Sequence, residues 1–463
     1  MDKKSSLYFY ITFSLTVLFL SSLISYSHNN LLALEISFLI VFLITIIQSI
    51  SFYGILSLYS IFLFTSAFFI YDSVFLSIFT NRSFIQILYP WEFWFDQNIG
   101  FKFIIVCFIS VVFGHIVYML LPKKSSGRNL KNNKKMEQIG ILLMIIFLIP
   151  VCWKIFLQLK FVLNNGYYSI YSEGFDTLKY PVWCSGAFLF FYSGYYLFVS
   201  SYPTNKKFIT FSLLCLIVTL FNAMKGGRGE IIALIITTLY VYRNFYDVRI
   251  SLKKILILFV FIIFTADLIG GVRENYGNNH IEKSGKTVYE KIVDVLWAQT
   301  SSRTVLLMVL KGDLEYHPYP FVFYPFTNKI LKHIYKAKGN EIESLLYYNN
   351  PSQVTMANVS VRESLAGKGY GSVFIAEAYE CFGVFGLLFF LYFLIKIINY
   401  FDRSKLRLRN LYLPFLYILL QTIPIAPRKE IFQIIQYNLN NIIFVYFIYF
   451  FLRLISFKSE SIK

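Results

Sequence analysis

Residues 131–160 read KNNKKMEQIGILLMIIFLIPVCWKIFLQLK, and this stretch decides the fold class. Lys131, Lys134 and Lys135 stand ahead of an apolar run from Ile139 to Lys160. That run has the length of ~20 residues that an α-helix needs to cross a bilayer. Basic clusters are retained on the cytoplasmic side of a membrane, so the stretch supplies both a span and its direction. The whole chain shares its character. Of 463 residues, 57% are hydrophobic, 20% aromatic and only 15% charged, with a mean hydropathy of +0.59, values outside the range of soluble domains.

Outward from that run, spans are expected at 7–27, 31–49, 52–71, 99–121, 139–160, 182–202, 208–224, 230–246, 255–270, 371–398, 411–426 and 431–455. Threaded in this order, every basic cluster falls on one side. Lys3 and Lys4, then Lys123 to Lys135, Lys206 and Lys207, Arg243 to Lys254, Arg403 to Arg409, and the tail with Lys458 and Lys463 are all cytoplasmic, as are both termini. The expected organisation is nine transmembrane helices over 1–270, a large outer loop over 271–370 and three more helices with a short tail over 371–463. Within the loop, the apolar spacing of Val288 to Leu310 suggests amphipathic helices lying on the membrane surface. Leu7 to Ser27 is long enough to be the first span and lacks a small-residue cleavage site, so it reads as a membrane helix.

Several function classes fall away. The net charge of +18 resides mostly in short loops between spans, where orientation and anionic lipid explain it without nucleic acid. The five cysteines lie in or beside apolar segments without the spacing of a disulfide framework or a zinc site. Glu92 and Asp96 in the first outer segment stand four apart among tryptophans and do not form a paired-aspartate metal motif, so no metal and no cofactor is expected.

Positive-inside sorting leaves the other face poor in arginine, so the arginines there single themselves out. Lys225-Gly-Gly-Arg228-Gly-Glu230 sits between two spans. Its glycines allow backbone N–H groups to approach an anion at the start of a helix, and Arg228 can add a forked pair of hydrogen bonds, although on local sequence alone a tight turn with a snorkelling arginine is the favoured reading. Gly271-Val-Arg273-Glu274 follows a span in which Asp267 could neutralise Arg273, and Glu274 is placed as a base beside an anionic group. Ser360-Val-Arg362-Glu363 leads through a glycine-rich approach into a helix that carries Glu377 and Glu380 ahead of its apolar body, where ionisable groups are expensive. Arg303, Arg428, His280, His317 and His333 read as solvated or interfacial residues, with the two arginines kept as further candidates.

Taken together, these pieces resemble the Wzy-type O-antigen polymerases, relatives of the O-antigen ligases among membrane glycosyltransferases of GT-C-like fold. The resemblance rests on Gly369-Tyr-Gly371-Ser372-Val-Phe-Ile-Ala-Glu377-Ala-Tyr379-Glu380-Cys-Phe382-Gly383-Val-Phe-Gly386, on the Arg228 turn, on Gly271-Val-Arg273-Glu274 and on the long outer loop before the last three spans. Glu380 and Cys381 depart from the usual small polar or aromatic residues of the signature, and Gly227 stands where serine is common. The resemblance implies a transfer at the outer face of the inner membrane. A growing glycan would pass from undecaprenyl diphosphate to a new lipid-linked repeat unit, with a chain-length regulator as a possible partner.

A diphosphate leaving group needs neither nucleotide nor metal where cationic donors meet the developing charge. Arg228, Arg273 and Arg362 are the expected clamp, with Arg303 and Arg428 behind them. Glu274, Glu363 and Glu377 are the candidate bases. An O-antigen ligase and a lipid-linked oligosaccharide flippase are the alternatives. A flippase would be expected to show two related halves.

Overall fold

The computed structural model describes residues 3–28, 30–80, 96–121, 132–165, 178–225, 228–246, 248, 251, 302–312, 314–315, 319–324, 326, 350–365, 369–404, 413–431, 440–448 and 450–451. The described residues are helical and contain no strand. In chain order the helices are α1 (Lys3–His28), α2 (Leu32–Tyr53), α3 (Leu58–Phe69), α4 (Asp72–Phe79), α5 (Gln97–Leu120), α6 (Lys134–Asn165), α7 (Ala187–Ser200), α8 (Asn205–Ala223) and α9 (Arg228–Tyr246). They continue with α10 (Arg303–Lys311), α11 (Pro351–Val359), α12 (Val361–Leu365), α13 (Phe374–Ser404) and α14 (Leu413–Thr422). Among the described residues seven helical segments are long and apolar enough to cross a membrane, and the bent pair α3–α4 makes an eighth. The expected spans 255–270 and much of 431–455 lie outside the described residues.

The distribution of side chains is that of a protein dissolved in lipid. On α1, Ser14, Ser21 and Ser25 are buried, while Tyr8, Phe9, Leu15 and Phe19 are exposed. Lipid gives no reason to hide large apolar groups, so helices associate through small and hydroxylated residues. Tyr10 on α1 hydrogen-bonds Thr45 on α2 at 2.6 Å, in line with that rule.

The chain forms two compact units. The first comprises Met1–Lys123, Lys286–Asp402 and Pro424–Gln433. Its core joins Phe38 and Phe42 of α2 to Tyr71, with ring centroids 5.1 and 5.5 Å apart in edge-on geometry, pairings worth about 0.5–1.5 kcal/mol each beyond burial. Tyr71 lies where the chain turns by 62° between α3 and α4. The expected single span 52–71 is therefore corrected to a broken one, and Asp72 to Phe79, read from sequence as the start of an outer loop, form a second helix. The N-terminus of α3 is capped from far away: the Asp402 carboxylate accepts the Leu58 and Tyr59 amides at 2.7 and 3.1 Å and the Tyr118 hydroxyl at 2.6 Å. A carboxylate at this position satisfies orphan donors and opposes the positive end of the helix dipole.

The second unit comprises Lys124–Gly285, Arg403–Ile423 and Ile434–Lys463. Its α6 and α7 cross in backbone contact: a Cβ at Gly140 would lie 2.6 Å from the Phe198 nitrogen, and one at Gly194 2.9 Å from the Gly140 oxygen. Around this crossing the hydroxyls are used internally. Tyr196 donates to Gln421 at 2.6 Å, Tyr195 to Ser212 at 3.0 Å, and Ser193 to Asn441 at 3.1 Å, the side-chain hydrogen bonds that hold helices together in a membrane.

Candidate reaction centre in the first unit

The glycine-rich approach to α13 is fixed by local sequence. The Gly371 amide donates to Ser352 Oγ at 2.8 Å, and Gly371 takes a positive φ of 84°, a conformation that suits glycine. A Cβ there would lie 2.9 Å from Ser302 Oγ and 3.6 Å from Arg428 Nε. The absent side chain thus lets residues 302, 371 and 428 meet.

Glu377 is fully buried. Its carboxylate accepts the Ser372 hydroxyl at 2.7 Å and the Ile431 amide at 3.0 Å. Glu430 and Glu380 lie within electrostatic reach. Glu430 sits in the turn before Ile431, where burial pushes its carboxyl above the usual carboxylate range against the pull of Lys429. Its Oε2 is buried with no hydrogen-bond partner among the described residues. Glu380, one turn beyond Glu377, accepts the Phe321 amide at 2.9 Å and borders an open recess of about 360 Å³ lined by Val309, Gly312, Leu314, Tyr379, Glu380 and Gly383.

The helix that carries both glutamates breaks after them. Phe382 and Gly383 leave helical geometry, and Gly383 takes φ 59°, ψ −140°, a combination open in practice to glycine alone. The expected continuous span 371–398 is therefore a short helix bearing the glutamates, a break, and a long apolar helix. Gly386 follows so closely that a Cβ would lie 2.2 Å from the Ala378 oxygen.

Arg303 forms the opposite charge. Its guanidinium lies 3.7 Å from Asp72, both side chains being essentially inaccessible. Burial lowers the Arg303 pKa to about 10 against the attraction of Asp72, which still leaves it charged at neutral pH. Arg428 also acts on Asp72 and places its guanidinium 5.5 Å over the Phe69 ring. Sequence reads Arg303 as solvated or interfacial. The structure corrects this, since α10 is buried along most of its length and packs on α5, whereas an interfacial amphipathic helix is expected there.

Of the predicted site residues, Arg303, Arg428 and Glu377 all lie in the first unit, the two arginines acting on Asp72 and Glu377 accepting the Ile431 amide just beyond Arg428. Arg362 is exposed and Glu363 half-buried on the five-residue α12. Arg228 opens α9 in the second unit, its side chain lying outside the described residues, as do Arg273 and Glu274. Sequence reasoning missed Asp72 and Glu430. Asp72 carries a usable signal, being the sole acidic residue between Glu35 and Glu92 in a strongly apolar stretch. Glu430 carries none, because a Pro-Arg-Lys-Glu turn reads as solvated.

A family model described as O-antigen polysaccharide polymerase Wzy matches residues 10–459, nearly the whole chain. No curated protein and no solved structure gives a match.

Proposed function

The chain belongs to the O-antigen polysaccharide polymerase Wzy family, and from that premise we propose that it joins undecaprenyl-diphosphate-linked oligosaccharide repeat units at the outer face of the bacterial inner membrane, with the buried cluster of the first unit as its reaction centre. The family match carries the polymerase role. The assignment of the chemistry to this cluster rests on one observation: a fully buried carboxylate, Glu377, lies in the same compact unit as the buried Arg303 guanidinium and accepts the Ile431 amide from the turn that carries Arg428.

In this reading the acceptor sugar hydroxyl attacks the anomeric carbon of the glycan on its carrier, and the carbon–oxygen bond to the diphosphate breaks. The hydroxyl proton passes to a carboxylate, for which Glu377 is the first candidate, with Glu430 adjacent to share the charge. The bonding electron pair leaves with the diphosphate, which thereby gains one negative charge, and Arg303 and Arg428 are suited to meet it because a guanidinium is planar, permanently charged and forked. The recess beside Glu380 has room for part of a sugar. Charge compensation by arginine supports a reaction without a divalent metal. The basic clusters support cytoplasmic termini, and twelve spans with a GT-C-like arrangement remain the proposed topology. Arg228, Arg273 and Arg362, with the bases Glu274 and Glu363, stay proposed for parts of the chain outside this cluster, and a chain-length regulator stays a proposed partner.

Two measurements test the reading. A deletion strain should carry surface glycan of a single repeat unit. A ligase would instead leave the lipid A core bare while polymer accumulates on the carrier. In proteoliposomes supplied with lipid-linked repeats, Glu377→Gln should bind donor normally and make no polymer. Full-length polymer from that variant would remove the chemistry from this cluster.

A further inference from the structure

The second unit holds a cationic cluster that the reaction centre does not use. Lys154 Nζ lies 4.9 Å from the Tyr180 ring and 5.5 Å from the Phe188 ring. Lys225 Nζ lies 5.6 Å from the same Phe188 ring and donates to Gln158 Oε1 at 2.5 Å. Gln158 is buried and completes the frame by donating to the Tyr180 hydroxyl at 3.1 Å. Two ammonium groups, one on α6 and one just beyond α8, therefore share one aromatic ring. Glu230, the acidic group that acts on Lys225, is engaged by Asn222 at 3.2 Å. Asn222 Oδ1 is itself buried without a hydrogen-bond partner among the described residues.

The depth of this cluster can be worked out from helix geometry. From Lys134, at the start of α6, to Lys154 is twenty residues, about 30 Å of helix, the thickness of the hydrocarbon core. If the basic end of α6 lies at one interface, Lys154 lies at the other. Trp153 and Trp183, 44% and 49% exposed with ring centroids 6.3 Å apart, form the aromatic rim expected at headgroup level. Snorkelling alone explains a single lysine pointing outward. It does not explain two half-buried lysines gathered at one ring, because like charges repel and each gives up hydration to be there. Burial and the charge of Lys154 hold the Lys225 ammonium down at about 8, a cost that an anion between the two would reverse.

We propose that Lys154 and Lys225, framed by Gln158, Tyr180 and Phe188, form a binding site for the phosphate group of a membrane lipid, either a polyprenyl diphosphate or an anionic phospholipid. The site stands independently of the reading of Glu377, because the test involves no turnover. The full-length chain, purified in detergent, is titrated with undecaprenyl diphosphate, with phosphatidylglycerol and with phosphate-free undecaprenol, and bound lipid is counted by native mass spectrometry.

Undecaprenyl diphosphate should bind at least about tenfold more tightly than undecaprenol, the effect of about one charge-assisted contact. Lys154→Gln/Lys225→Gln should remove one diphosphate lipid from the count, leaving the one expected at Arg303 and Arg428, and Lys154→Arg/Lys225→Arg should keep both. Equal binding of phosphatidylglycerol identifies bulk anionic lipid as the occupant, and tighter diphosphate binding identifies the carrier. Both outcomes support a phosphate site. If the double glutamine variant does not fold, Lys154→Gln alone decides, since Lys154 is only half-buried. An unchanged count of bound diphosphate lipid in a folded glutamine variant, or equal affinity for undecaprenol, overturns the proposal.

Discussion

Replacing Arg303 with methionine removes a guanidinium from a fully buried pair while keeping most of the aliphatic volume, so the change tests charge and not packing. At the 3.7 Å separation from Asp72, the attraction is about 4 kcal/mol at an effective dielectric near 20. Removing one member of such a pair costs about 3–5 kcal/mol, because the other is left buried with less compensation. Arg303→Met should therefore lower the unfolding free energy by about 3 kcal/mol or more, measured by titration with SDS in mixed micelles. Asp72→Asn should cost at least as much, since Asp72 also compensates Arg428.

The variant Asp72→Leu/Arg303→Met removes both charges and should recover much of the loss, giving a coupling of about 2 kcal/mol or more. Stability and chemistry then separate. If Arg303 meets the diphosphate, the double variant folds but polymerises on the order of 100-fold more slowly. An Arg303→Met protein with wild-type stability would refute the burial argument. A folded double variant with wild-type polymer would return Arg303 to a purely structural role.

Gly383→Ala places a side chain at φ 59°, ψ −140°, and although a Cβ there meets nothing within 4 Å, the backbone strain should cost about 1–3 kcal/mol. SDS titration reads this directly, and an unchanged midpoint would mean the break in α13 is not required. Polymerisation by purified protein should persist in excess EDTA, because arginines supply the charge compensation, and loss of activity restored by magnesium or manganese would point to a missed ligand set. Binding of undecaprenyl diphosphate to the second unit should weaken as pH rises through about 8. Burial lowers the Lys225 pKa there, with Glu230 favouring the charge and Lys154 opposing it, so the ammonium becomes neutral. Lys225→Arg should remove the dependence, and a flat profile for the wild-type chain would exclude Lys225 from the site.

The sequence by itself determined the solvent, the class and the family. Long apolar runs punctuated by basic clusters leave no alternative to a multi-pass helical membrane protein, because each backbone polar group in lipid must be satisfied within its own segment. The Gly369 to Gly386 stretch marked where glycines and intramembrane glutamates coincide, and it singled out Glu377, which the structure buries.

Hydropathy could not show that two of the spans are broken. The bend at Tyr71 and the reversal at Gly383 are set by packing and by local φ, while the apolar content of the windows is unaffected. Nor could it show the fate of the charges. Arg303, Asp72 and the turn that holds Arg428 and Glu430 come from three separate places in the chain, and each charge taken alone is most economically left in water. Only the tertiary structure brings Arg303 to 3.7 Å from Asp72, with Arg428 acting on the same carboxylate, and that proximity makes their burial tolerable, since a charge leaves water at acceptable cost only where an opposite charge or a set of donors awaits it.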